Sequence, residues 1–88
     1  MTQSVVVYEL AIIGGRLSDD ASAAYEQVEE LNRIVRRMDG ARVGPWKYHF
    51  PTFDATREAL QEFRHIGLAF DDVQIKAVDG ISGKDLPI

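Results

Sequence analysis

The segment Val5–Ile13 is apolar on both of its sides, and this feature restricts the folds open to the chain. Read as a strand, it places alternate residues on opposite faces of a sheet. One side carries Val6, Tyr8, Leu10 and Ile12. The other side carries Val5, Val7, Glu9, Ala11 and Ile13. A water-facing side normally alternates with polar residues, so we expect both faces of this strand to be covered.

The segment Asp19–Met38 has the clearest helical periodicity in the chain. Six apolar residues fall on one arc at about 100° per residue: Ala24, Val28, Leu31, Ile34, Val35 and Met38. Ser18 or Asp19 can cap the start of this helix, and Gly40 can end it. The periodicity predicts an amphipathic helix with a charged outer face.

The segment Ala41–Phe50 predicts a second strand with a bend or bulge at Gly44-Pro45. Its alternation places three aromatic residues on one side: Trp46, Tyr48 and Phe50. Lys47 and His49 fall on the other side. An aromatic side of this kind is typical of packing against helices.

Two further elements complete the pattern. Asp54 can cap a second helix over Ala55–Ile66, whose apolar stripe includes Leu60 and Phe63. The segment Val73–Val78 predicts a last strand. The order is therefore β-α-β-α-β, with Gly44-Pro45 as the place where a turn would create an extra short strand.

This order predicts an α/β (α+β) fold: a two-layer sandwich, ferredoxin-like or related. Two helices would cover one face of a three- or four-stranded sheet. Residues 1–88 are expected to form a single domain, with 1–4 and 81–88 as candidate flexible tails.

In spacing, Tyr8-Glu9, the long helix and Gly40-Ala41-Arg42-Val43 are similar to the first half of a ferredoxin-like family of RNA-binding ribosomal proteins. That resemblance implies the same fold class.

Composition narrows the range of partners. The net charge of −4 disfavours binding to nucleic acid or to an anionic membrane through bulk electrostatics. The chain has no cysteine and two histidines, so we expect no disulfide, no metal site and no cofactor. The first residues lack the basic start of a signal peptide, so we expect a cytoplasmic protein.

The side of the first strand that faces away from the helices predicts an interaction surface. It consists of Val5, Val7, Glu9, Ala11 and Ile13, with Lys47 and His49 beside them. An exposed apolar face usually marks a binding site, so we expect a homodimer or another protein partner. The alternative is that the tail Ile81–Ile88 folds across this face. We favour a non-enzymatic, small regulatory or inhibitory protein or an accessory subunit, a class that phages and mobile elements also encode.

Two other functions stay open. Glu9, Lys47 and His49 would share the open face, where a carboxylate and an imidazole in an apolar cleft can do acid–base work. This is the arrangement of a dimeric α/β-barrel enzyme or small-molecule binder, although Glu9 and Lys47 can equally form an ordinary cross-strand ion pair. Separately, four arginines predict an anion-contact surface for RNA or DNA: Arg33, Arg36, Arg37 and Arg42.

Overall fold

The computed structural model describes residues 5–86, which form six elements in the order β-α-β-β-α-β. The strands are β1 (Val6–Ile13), β2 (Ala41–Gly44), β3 (Lys47–Phe50) and β4 (Asp72–Asp79). The helices are α1 (Ala21–Arg37) and α2 (Phe53–His65). This is also the order of elements in ferredoxin-like domains.

The four strands form one antiparallel sheet in the order β2-β3-β1-β4. Leu10 and Ile12 on β1 belong to the same buried cluster as residues of both helices, so α1 and α2 cover the same face. The architecture is therefore the two-layer α/β sandwich that the sequence predicts. Because β1 is central, its other face is the middle of an open sheet surface.

The segment Ala41–Phe50 is a hairpin of two short strands, so the chain takes the alternative in which a turn creates an extra short strand. β2 and β3 pair antiparallel, with a bulge between Arg42 and Gly44. The chain reverses at Pro45-Trp46, where Trp46 has a positive φ of 59°. This conformation is unfavourable for a bulky residue. It is held in place because Ile12 N–H donates a 2.9 Å hydrogen bond to the Trp46 carbonyl.

Both helices begin at a different cap from the predicted one. Asp20 caps α1, accepting a hydrogen bond from Ser22 N–H, in place of Ser18 or Asp19. Thr52 caps α2, and its side chain accepts a 3.0 Å hydrogen bond from Ala55 N–H. Asp54 instead lies in the first turn of α2, where the helix dipole favours a carboxylate.

The core lies between the helices and the sheet. Its helical contribution comes from Leu31, Ile34, Val35, Ala59 and Phe63. The aromatic side of β3 faces this core, as predicted: Tyr48 and Phe50 are buried, and Trp46 packs against the cluster. The Tyr48 and Phe63 rings lie 5.5 Å apart between centroids.

The segment Ile81–Leu86 turns back beside β4 at the edge of the sheet. Leu86 N–H donates to the Ala77 carbonyl at 3.0 Å, and Asp79 N–H donates to the Lys84 carbonyl at 2.9 Å. Asp85 forms an isolated antiparallel bridge with Val78. Of the candidate tails 1–4 and 81–88, residues 1–4 and 87–88 lie outside the described residues.

Candidate functional site on the open sheet face

The sheet face opposite the helices carries all seven residues predicted for the interaction surface. Directly paired residues of neighbouring strands point to the same face. Glu9 pairs with His49, and Ala11 pairs with Lys47, so the alternate residues of β1 and β3 meet there. Val5 and Val7 lie side by side on this face, since a side chain added at Gly80 would contact both at 3.2 Å.

Four polar side chains, which we call the polar row, cross the middle of this face: His49, Glu9, Lys76 and Asp85. His49 Nε2 lies 3.1 Å from Glu9 Oε1, and Lys76 Nζ lies 3.5 Å from Glu9 Oε2. Lys76 Nζ lies 2.9 Å from Asp85 Oδ1. Each oxygen of Glu9 therefore has its own partner, and the row links three strands to the segment that follows β4.

Glu9 is the buried member of the polar row, with a side chain that is 12% exposed. Burial by itself would raise the pKa of Glu9, but the His49 hydrogen bond and the Lys76 ammonium outweigh it. The net result is a pKa below the ordinary value. Because an ionised carboxylate only accepts hydrogen bonds, His49 Nε2–H is the donor to Glu9 Oε1.

Lys76 and Asp85 form the exposed end of the polar row. The hydrogen bond with Asp85 raises the pKa of Lys76, with a further contribution from the Glu9 charge. Both side chains are largely exposed, at 45% and 69%. Exposed ion pairs of this kind contribute little free energy to folding. The inner pair of Glu9 and His49 therefore does more to stabilise the fold than the outer pair.

Apolar side chains flank the polar row on both sides. Val5, Val7 and Val78 lie towards the start of β1, whereas Ala11 and Ile13 lie towards its end. Val5 is 50% exposed and Ile13 is 42% exposed, but Val78 is fully buried. The segment Ile81–Leu86 forms backbone hydrogen bonds with β4, and its Asp85 side chain contacts Lys76 on this face.

The predicted acid–base group was Glu9, Lys47 and His49, and in the structure Lys76 takes the place of Lys47 beside Glu9. Lys47 pairs with Ala11, and Glu9 forms ion pairs with His49 and Lys76 instead of Lys47. The cross-strand pair predicted between Glu9 and Lys47 is therefore absent from the described ion pairs. Catalysis by Glu9 and His49 stays a prediction.

Within residues 5–86, no three His, Asp or Glu side chains lie close enough to hold a metal ion.

The structure divides the predicted arginine surface into two pairs. Arg33 forms an ion pair with Glu30, and Arg37 forms one with Glu62 at 3.4 Å. Arg36 and Arg42 form no ion pair with any described residue, and both line a hollow beside Gly40-Ala41. Two of the four arginines predicted to contact a nucleic-acid backbone therefore have no ion-pair partner among the described residues. Binding of RNA or DNA stays a prediction.

Sequence reasoning missed Lys76 and Asp85 as members of the site. A signal for Lys76 was present, because the alternation in Val73–Val78 directs Val73, Ile75 and Ala77 towards the helices and Lys76 away from them. No periodic pattern identified Asp85, which follows the turn at residues 80–82 after β4.

Neither helix of the described chain is long and apolar enough to cross a membrane. No family model matches this chain, and neither a curated protein nor a solved structure was found to match it.

Proposed function

We propose that this protein is a non-enzymatic interaction module whose open sheet face pairs with the same face of a second copy. The observation that carries this proposal is the composition of that face. A central carboxylate, Glu9, is buried and paired within its own chain, and exposed apolar side chains such as Val5 and Ile13 lie on either side. In this role the protein acts by binding, as a small regulatory protein or accessory subunit.

The internal pairing of Glu9 makes this face suitable for burial. A charged group that loses water without a partner costs several kcal/mol, roughly 3–5 when one member of a buried pair is removed. Here His49 and Lys76 already contact the two carboxylate oxygens. A covering surface can therefore remove water from the centre of the face without leaving a carboxylate unpaired.

The order of charges along the polar row favours a second copy as the occupant. The row reads imidazole, carboxylate, ammonium, carboxylate, from His49 to Asp85. A twofold axis that runs along the strands, between β1 and β4, reverses this order in the other copy. Glu9 then faces Lys76 of the other copy, so opposite charges meet there, and the His49 imidazole faces the Asp85 carboxylate.

The same order of charges disfavours a second arrangement of two copies. A twofold axis that runs across the strands, directly over the row, would place every member of the row opposite itself. Like charges would then face each other at Glu9, Lys76 and Asp85, which is destabilising. A twofold interface uses the same patch on both copies, so the face must be self-complementary. Of these two arrangements, the first is the one in which the polar row is self-complementary.

Sedimentation equilibrium over a wide range of concentrations tests the proposal with a matched pair of variants. Val5 and Val6 are adjacent, have similar exposures of 50% and 45%, and lie on opposite faces of the sheet. We expect Val5→Lys to place a charge in the interface and abolish the dimer. Val6→Lys should keep the dimer, since its side chain points away from the open face.

The proposal is overturned if the unmodified protein is a monomer at every concentration. It is also overturned if Val5→Lys and Val6→Lys change the association constant equally. Ile13→Lys provides a second test at the opposite end of β1, and it should weaken association as Val5→Lys does. Circular dichroism and thermal unfolding of each variant separate loss of association from loss of the fold.

A further inference from the structure

A cleft lies on the helix side of the sheet, between α1 and the β2–β3 hairpin, and we call it the hairpin cleft. Its apolar wall includes Val28, Leu31 and Trp46. Its polar lining consists of Asn32, Arg42 and Tyr48. The volume is about 250 Å³. This lies just below the range of about 300–1,000 Å³ for pockets that hold drug-sized ligands, so the cleft suits a smaller molecule.

Arg42 gives the hairpin cleft a positive charge that no described residue neutralises. Its Nε–H donates a 3.3 Å hydrogen bond to the Gly44 carbonyl, which holds the base of the guanidinium. The remaining N–H groups form no ion pair with residues 5–86. Arg42 and Asn32 also line the adjoining hollow, where Arg36 lies. Arg42 therefore borders both depressions, and Arg36 borders the second of them.

Tyr48 provides a further donor in the same place. The residue is 4% exposed, and its ring packs against Phe63 in the core. Burial raises the pKa of Tyr48, although the Arg42 charge lowers it in part. The hydroxyl group therefore keeps its proton at neutral pH. Tyr48 and Asn32 can both donate to an acceptor that also contacts Arg42.

We infer that the hairpin cleft binds a small organic carboxylate with an aromatic or branched aliphatic body. The carboxylate would contact Arg42, with Asn32 and Tyr48 as additional donors. The body would lie against Trp46, Leu31 and Val28. A planar guanidinium matches a carboxylate in shape and charge, and an apolar wall beside it selects an amphipathic anion over a simple ion. The site is independent of the open face, because it lies on the other side of the sheet.

Trp46 is the only tryptophan in the chain, so its fluorescence reports directly on the hairpin cleft. Phenylacetate is the probe, phenylacetamide has the same body without the charge, and acetate has the charge without the body. We expect a saturable change in Trp46 fluorescence with phenylacetate. Phenylacetamide and acetate should each bind at least roughly tenfold more weakly.

Matched arginine variants locate the anion contact. Arg42→Gln should reduce phenylacetate affinity roughly tenfold or more, since it removes the charge and keeps much of the side chain. Arg33→Gln should leave the affinity unchanged, because Arg33 is paired with Glu30 and lines neither depression. The same titration on Val5→Lys should give the same affinity as the unmodified protein, so this proposal does not depend on dimer formation.

Three results overturn the inference. One is the absence of a saturable response to phenylacetate in a protein that is folded by circular dichroism. Another is equal affinity for phenylacetate and phenylacetamide, which would show an apolar groove without anion recognition. The third is a strong, salt-sensitive response to a single-stranded oligonucleotide with none to phenylacetate, which would assign the arginines to nucleic acid instead.

Discussion

The two faces of the sheet are stabilised in different ways. On the helix side, Leu10 and Ile12 are buried in a continuous apolar core. On the open side, the central residue of β1 is Glu9. Its carboxylate is buried, and the hydrogen bond with His49 and the ion pair with Lys76 offset the cost of that burial. The helix side is closed within one chain, whereas the open side has a satisfied polar centre and apolar margins. That difference separates residues that maintain the fold from residues available for binding.

The largest expected contrast comes from two isoleucines that are adjacent on β1. Ile12 faces the helices and is 6% exposed, whereas Ile13 lies on the open face and is 42% exposed. We expect Ile12→Ala to lower the free energy of unfolding by about 2–5 kcal/mol, because it creates a cavity in the core. We expect Ile13→Ala to lower it by less than about 1 kcal/mol, since the side chain is only partly buried.

Urea denaturation at low protein concentration, where a dimer would dissociate, measures both isoleucine variants. Equal losses of stability would contradict the distinction between the two faces. If the measurement is repeated at higher protein concentrations, a loss of stability for Ile13→Ala that grows with concentration would strengthen the distinction between the faces. It would show that a second copy covers Ile13.

The next effect concerns the polar centre of the open face. We expect Glu9→Gln to lower the free energy of unfolding by about 1–3 kcal/mol at neutral pH, because it removes a buried charge-assisted interaction. The pKa of Glu9 is lowered in the folded protein, so the carboxylate favours folding. This stability is fully present above the unfolded-state pKa of about 4.3 and is lost as the pH falls through the folded-state pKa.

Denaturation of the unmodified protein and Glu9→Gln as a function of pH checks this expectation. The stability difference should shrink as the pH falls below about 4, where the unfolded carboxylate binds a proton. Glu58→Gln serves as the control, since Glu58 is exposed on α2 and should change stability by no more than about 0.5 kcal/mol. A difference between Glu9→Gln and the unmodified protein that does not depend on pH would contradict the electrostatic explanation.

The smallest effect is expected at the exposed end of the polar row. Asp85→Asn removes an ion pair with Lys76 in which both side chains are largely exposed. We expect a loss of about 0.2–1 kcal/mol in the free energy of unfolding, because water screens such pairs. The loss should become smaller in about 1 M salt, where the Debye length falls to roughly 3 Å. A loss that does not change with salt would contradict an electrostatic contribution from Asp85.

Much of the fold was predictable because local patterns reflect which side of an element is covered. The periodicity of α1 and the alternation around Tyr48 predicted the faces that pack in the core. The sequence left open whether the chain turns near Gly44-Pro45, since the turn at Pro45-Trp46 includes a positive φ and a hydrogen bond from Ile12, far away in the chain. Helix starts differed by one or two residues, because several neighbouring residues can serve as caps.

Alternation of side chains along a strand was enough to assign each residue of β1 to one side of the sheet. It therefore identified the open face and placed Glu9 and His49 on it. The contacts across that face emerge only from the folded chain: Glu9 with Lys76, Lys76 with Asp85, and Lys47 beside Ala11. Alternation specifies a face, but register between distant strands depends on turn geometry and on packing across the whole sheet.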